Sequence, residues 1–144
     1  MLSKSGTHAI RALVMLARSP GSYSGAQMIA ESTGAPRNYL GKILQQLARR
    51  GIVESQKGLG GGFRLARTAN EITLYEIVES LEDVGRWATC VLGEGNCDDT
   101  HHCAMHGRWR GIRDGYLEML RTTTIHDLQT TSVVDPRLVS GQTS

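Results

Sequence analysis

No apolar run in the chain approaches the roughly 20 residues that a membrane-spanning helix requires, so no transmembrane segment is predicted. The opening MLSKSGTHAIRALVMLARSPGSYSG sets one Lys ahead of apolar residues, as a secretion signal does. Arg11 interrupts that stretch, however, and its apolar residues recur at helical spacing rather than as a block. A cytoplasmic protein is the expectation. Phosphate-loop chemistry is missing too: GLGGGF carries Phe63 where a GxGxxG loop needs its third Gly, and no Gly-Lys-Ser/Thr follows. No nucleophile–base pair and no internal repeat stand out, so an enzyme is not predicted. Cysteine is scarce, and its odd number, three, argues against a closed disulfide framework.

Net charge is small as well, +2, yet the total conceals an asymmetry. Residues 1–67 hold ten Lys or Arg against Glu31 and Glu54, a balance of +8. Residues 68–144 hold six Arg against twelve acids, a balance of −6. A basic half joined to an acidic half points to a polyanionic partner for the first half only.

The basic half reads as three helices and a hairpin. From about Ser5 to Arg18, Ile10, Leu13, Val14 and Ala17 form one apolar face, ended by Pro20 and Gly21. Ser24 is placed to cap a short second helix running through Ser32, with Gly34 closing it. A third helix has Pro36 in its first turn and Gly51 just past its end. Leu40, Ile43, Leu44 and Leu47 are its buried stripe, which leaves Arg37, Asn38, Gly41, Lys42, Gln45 and Arg49 facing outward. Ile52-Val53 and Phe63-Arg64-Leu65 then read as two short strands around a glycine-rich tip.

Past Asn70 the helical pattern returns. Thr73 and Glu76 make a capping box ahead of Leu74, Ile77, Val78 and Leu81. Residues 86–103 lack periodicity and read as a loop. A longer helix runs from about Ala104 to Arg121, with Trp109, Ile112, Tyr116, Met119 and Leu120 on one side. The tail from Ser132 has a composition expected to be poorly ordered.

Three helices followed by a β-wing place one helix in the major groove of DNA and the hairpin beside the backbone. The expected fold is mainly α with a small β-wing. A winged helix-turn-helix over 1–67 binds double-stranded DNA, and a connecting helix covers 68–85. A cysteine-rich sensor loop follows over 86–106, then a long dimerisation helix with its following segment over 107–131 and a flexible tail over 132–144. Side chains at the start of the third helix reach base edges, while Lys and Arg elsewhere neutralise phosphate. Arg37, Asn38 and Tyr39 occupy that reading end. Lys42, Lys57 and the backbone from Gly58 to Gly60 are the expected phosphate contacts, and Ser24 joins the interface.

The stretch APRNYLGKILQQLARRGIVESQKGLGGGFRLARTANEITLYEIVESLE resembles the winged-helix regulator family of IscR, NsrR, RirA and CymR. The similarity runs from about residue 3 to residue 130. It is most specific in the ordered set NYLGKILQQL, GLGGGFRLA and ITLYEIVE. A repressor whose subunits pair through Trp109, Ile112, Tyr116 and Met119 of the long helix is the expectation, and the resemblance implies a homodimer on an inverted-repeat operator. It also implies base contacts at Asn38, Tyr39 and Gly41, and wing contacts at Lys57 and Gly58. Some cluster-sensing members carry an acidic side chain at the position of Gly41, which itself has no side chain to read a base.

Cys90, Cys97 and Cys103 fall within fourteen residues, and His106 follows Cys103 at i+3. Thiolates are soft ligands suited to iron–sulfur clusters or zinc, and His completes either set. By the resemblance, the three cysteines hold an iron–sulfur cluster, 2Fe–2S or 4Fe–4S, in the loop before the dimerisation helix. CAMH matches the Cys-x-x-His of IscR-like members. Zinc in a Cys₃His site and metal-free thiol sensing are the competing readings. NsrR-like members take an acidic fourth ligand near the partner's N-terminus; Thr7 and His8 stand there in this chain. His106 is therefore the first choice for the fourth ligand and His8 across the dimer the second. A metal-binding electron carrier would use the same cysteines but has no need of a basic, glycine-tipped wing.

Overall fold

The computed structural model describes residues 2–82, 92 and 104–130. Helix α1 (Lys4–Ala17) starts where the Ser3 Oγ accepts a 3.0 Å hydrogen bond from the Gly6 amide. Ala9, Ile10, Ala12, Leu13, Val14, Leu16 and Ala17 are all buried, far more than one stripe. A helix apolar on most sides belongs at the centre of a fold. Accordingly α1 packs against α2 (Ala26–Thr33), α3 (Arg37–Arg49), α4 (Leu74–Leu81), α6 (Ile125–Gln129) and strand β2 (Gly62–Leu65).

Helix α2 is not capped by Ser24. Gly25 is its N-cap and supplies no side-chain bond, because the Ser24 backbone is drawn into the wing. Gly34 ends α2 in the left-handed conformation at φ 74°. Pro36 is the N-cap of α3 rather than part of its first turn. At the other end Gly51 (φ 74°) sends its amide to Ala48 O and Ile52 sends its amide to Leu47 O, each at 3.0 Å. This paired closure needs a left-handed residue, which favours Gly.

Strand β1 (Val53–Gln56) pairs antiparallel with β2, in register from Val53 opposite Leu65 to Gln56 opposite Gly62. Both strands differ by a residue or more from the expected ones, since the hairpin starts after Ile52 and takes in Gly62. A 3₁₀ turn (Ala69–Glu71) leads to α4, whose capping box is present as the sequence requires. Helix α5 (His106–Thr122) packs on α4. Its apolar stripe divides: Tyr116 and Leu120 enter the core, while Ile112 is 57% and Met119 46% exposed.

The short α6 has no counterpart in the sequence reading. Thr124 Oγ1 accepts from the Asp127 amide at 3.2 Å, and Asp127 Oδ2 accepts from the Thr124 amide at 2.9 Å. This second capping box uses Asp where the usual pattern has Glu or Gln, and it introduces only five residues. Residues 93–103 with Cys97 and Cys103, Cys90 before them, and the expected tail over 132–144 all lie outside the described residues.

Candidate nucleic-acid interface

Helix α3 is anchored by Leu40, Ile43, Leu44 and Leu47, all buried. Its other face must therefore look outward, as the helical period requires. Arg37, Asn38, Lys42, Gln45 and Arg49 are exposed there, and they border a groove of about 890 Å³ that Ala26 and the wing's Phe63 help to line. Gly41 lies in the same groove, and a Cβ built on it meets nothing within 4 Å. Among the described residues no ion pair engages Arg37, Lys42, Arg49 or Lys57. The surface thus presents positive charge without internal compensation.

Tyr39 differs from its neighbours. It is half-buried, and its hydroxyl lies 2.6 Å from Ser5 Oγ. The His8 ring meets it edge-on, with centroids 5.8 Å apart. The structure thereby fixes Tyr39 against α1 beside the N-terminal end of α3, rather than projecting it freely like Arg37 and Asn38. His8 Nδ1 is buried without a hydrogen-bond partner among the described residues. Burial lowers the His8 pKa first, and nearby Arg11 and Lys4 lower it further. The neutral form of the His8 ring is thereby favoured, and the ring is engaged within its own subunit.

The wing is tied to the helical unit at its base. Ser24 and Phe63 form an isolated bridge, with both backbone hydrogen bonds at 2.8 Å. Ser24 is thus placed beside the wing, adjoining the groove, with its backbone committed to the sheet. Arg64 braces the outer side. Its Nε donates to Glu54 Oε2 at 2.9 Å, its guanidinium donates to Gly21 O at 3.2 Å, and it stacks over the Tyr23 ring at 4.4 Å. The bond to Glu54 raises the Arg64 pKa.

In the sequence Arg64 reads as a residue of the second strand and one of ten basic residues, with no partner assigned. The signal that identifies it is the hairpin register, which sets it directly opposite Glu54. Arg67 is likewise committed, to both carboxylate oxygens of Glu76 at 3.1 and 3.0 Å. With Arg64 and Arg67 engaged, α3 still presents Arg37, Lys42 and Arg49, and Lys57 is exposed just after β1 with Gly58 and Gly60 beyond it.

Of the expected metal ligands only His106 and His8 are among the described residues. His106 is the first residue of α5, directly after the cysteine-bearing segment. Of the expected dimer residues, Ile112 and Met119 are exposed on α5, Trp109 is half-buried and Tyr116 is in the core. No helix among the described residues is long and apolar enough to cross a membrane.

Comparison with known proteins agrees with this arrangement. The family model described as "Rrf2: Iron-dependent Transcriptional regulator" matches residues 2–131. Protein aau3 of Rhizobium meliloti (strain 1021) is 37% identical over 128 residues, covering 88% of this chain and 83% of that protein. The HTH-type transcriptional regulator IscR of Cronobacter sakazakii is 28% identical over 130 residues, covering 88% and 78%. Among solved structures, CymR, the global cysteine regulator of B. subtilis, superposes with a TM-score of 0.76 at 26% identity, covering 90% of this chain and 96% of that one. T. potens IscR gives 0.71 at 24% identity, covering 89% and 85%, and shares the fold. The expected winged-helix fold is the observed one, and the chain belongs to the Rrf2 family of DNA-binding transcriptional regulators.

Proposed function

We propose that this regulator is a homodimer that represses from an inverted-repeat operator, with α3 in the major groove and the wing beside the backbone. The observation that carries the reading is the set of exposed, unpaired cations of α3, Arg37, Lys42 and Arg49, around one groove that the wing's Phe63 helps to line. Arg37 and Asn38 read base edges there, and the groove-lining Gly41 leaves room for a base pair to approach the helix. Lys42 and Lys57, with the Gly58–Gly60 backbone, hold phosphates. Ser24, at the wing's base, adds its hydroxyl.

Pairing of subunits through α5 is supported by spacing. Met105, just before α5, and Ile112 and Met119 on it recur every seven residues, the heptad spacing of a coiled-coil seam, while Tyr116 packs into the core of its own chain. Met105, Ile112 and Met119 are exposed along it. A dimer reads half-sites about one helical turn, roughly 34 Å, apart, so the geometry of α5 sets affinity.

Control enters through the cysteine segment. Cys90, Cys97 and Cys103, with His106 at the start of α5, are a donor set that fits an iron–sulfur cluster, and the family's description as iron-dependent supports that choice. When bound, such a group supplies a reversible change of charge and coordination beside the dimer helix. His106 is favoured over His8 as fourth ligand because His8 is packed against Tyr39. A zinc site or thiol oxidation at the same cysteines is the second reading; a solved S. aureus CymR, 24% identical, is described as an oxidized form.

Two measurements test this. Binding to duplex DNA across a salt series is expected to weaken steeply, and salt-insensitive or absent binding rejects the regulator reading. Iron and sulfide content with an absorption spectrum of anaerobically purified protein tests the sensor. Colour lost in Cys97→Ala supports the cluster, whereas a colourless, iron-free wild-type protein rejects it.

A further inference from the structure

From Gly58 to Gly62 the wing reads Gly-Leu-Gly-Gly-Gly, five residues with a single side chain. The Gly61 amide donates to Gly58 O at 3.0 Å, which closes a four-residue turn around Leu59 and Gly60. Gly60 has φ 74° while Leu59 does not have positive φ, the pattern of a type II turn with Leu59 at its leading corner. The glycines that follow are required for packing. A Cβ on Gly61 would lie 2.2 Å from Gln56 O, and one on Gly62 would lie 2.2 Å from Ser24 O.

The turn presents Leu59 at the apex, 104% exposed. The next most exposed large apolar residue among those described is Ile112 at 57%. Single exposed apolar residues are ordinary on protein surfaces, but this one stands alone on a glycine ribbon beside Lys57, in the element that flanks the reading helix.

A ribbon stripped of side chains is narrow enough for the minor groove, which is about 6 Å wide and admits no helix. Apolar side chains entering that groove seat on its floor and loosen flexible base steps. We propose that Leu59 is a specificity-determining residue that reads the minor groove beside each half-site. It favours A·T pairs, because guanine alone projects an amino group from the groove floor. Lys57 fixes the depth of entry by holding the neighbouring phosphate. The inference rests on the DNA-binding reading and adds a contact to it.

The test selects binding sites from a duplex library with a random core, using the full chain, Leu59→Ala and Lys57→Ala. Because nothing packs on Leu59, its variant is expected to unfold at the wild-type temperature. Wild type should enrich A·T pairs flanking the bases chosen by α3. Leu59→Ala should keep the α3 bases, lose the flanking preference, bind the wild-type site several-fold more weakly and retain the salt slope.

Inosine·cytosine pairs separate the grooves, since they resemble G·C in the major groove and A·T in the minor groove. Placed in the flanks, they should bind wild type like A·T, while G·C should not. Equal selection and affinity for Leu59→Ala and wild type, or equal loss on I·C and G·C, overturns the proposal and leaves DNA binding intact. A wild-type chain that enriches no sequence overturns both.

Discussion

The main chains of Ser24 and Phe63 exchange two hydrogen bonds of 2.8 Å, so the segment before α2 continues the wing as a third, one-residue strand. The approach depends on Gly62, whose φ is 134° and whose added Cβ would collide with Ser24 O. Gly62→Ala is expected to destabilise the fold by on the order of 2 kcal/mol and to weaken DNA binding further by displacing the wing. Ser24→Ala keeps the backbone bridge, so it should leave stability unchanged and reduce only DNA affinity. Thermal unfolding and gel-shift titration of the two variants distinguish backbone from side-chain roles.

This bridge also shows where sequence reading stops. Ser24 has the right identity and position for a helix cap, and local propensity assigns it that role. The cap is lost because a glycine thirty-eight residues later lets a strand approach. Apolar periodicity located α3 and α4 because each buries one face on α1, and period reports burial directly, while glycines between two short apolar stretches located the wing. Nothing local revealed that Arg64 is neutralised across the hairpin, or that α6 starts on an Asp-type capping box. The stripe on α5 was visible, but its division between a buried Tyr116 and an exposed Ile112 depends on how α4 lies against it.

Charges on α3 and the wing should separate by salt dependence. Each phosphate contact contributes about 0.9 to the slope of log affinity against log salt. Lys42→Ala and Lys57→Ala should each make that slope shallower by about 1. Arg64→Ala should weaken binding with no change in slope, because its guanidinium is held by Glu54, Gly21 O and the Tyr23 ring. A shallower slope for Arg64→Ala would mean that it contacts phosphate after all.

Gly41 sits inside α3 with open space where a Cβ would be. Glycine in a helix interior costs up to about 1 kcal/mol relative to alanine, so Gly41→Ala should raise the melting temperature by roughly 2–4 °C. Gly41→Glu should fold equally well but choose a different site in a selection experiment, since the new carboxylate faces the groove lined by Arg37 and Asn38. Unchanged selection by Gly41→Glu would remove this position from the reading surface.

Two groups give the stability a sloping acid side. The His8 pKa is lowered by burial first and then by Arg11 and Lys4. Above the ordinary histidine value of about 6.5 the ring is neutral in both states. As pH falls through that value the unfolded chain takes up the proton first, and folding weakens. Asp127 has its pKa lowered by the Thr124 amide and hydroxyl. Its contribution is present above the unfolded carboxylate value and is lost as pH falls through the lower folded one. Melting temperature against pH should therefore decline in two stages. His8→Gln should flatten the upper stage and Asp127→Asn the lower.

The seam on α5 predicts opposite outcomes for neighbouring residues. Tyr116 is 6% exposed and packs into the core of its own chain, so Tyr116→Ala should cost about 3 kcal/mol in folding. Ile112 is 57% exposed, so Ile112→Glu should leave the melting temperature of the isolated fold nearly unchanged. In a coiled-coil seam the same charge must be buried against its symmetry mate, where it has no partner. Light scattering after gel filtration should then report a monomer for Ile112→Glu and for Met119→Glu, against a wild-type dimer. Operator affinity should fall at the same time, because each half-site then binds alone without the second to hold it in register. A dimer that survives both substitutions would place the subunit contact away from this face of α5.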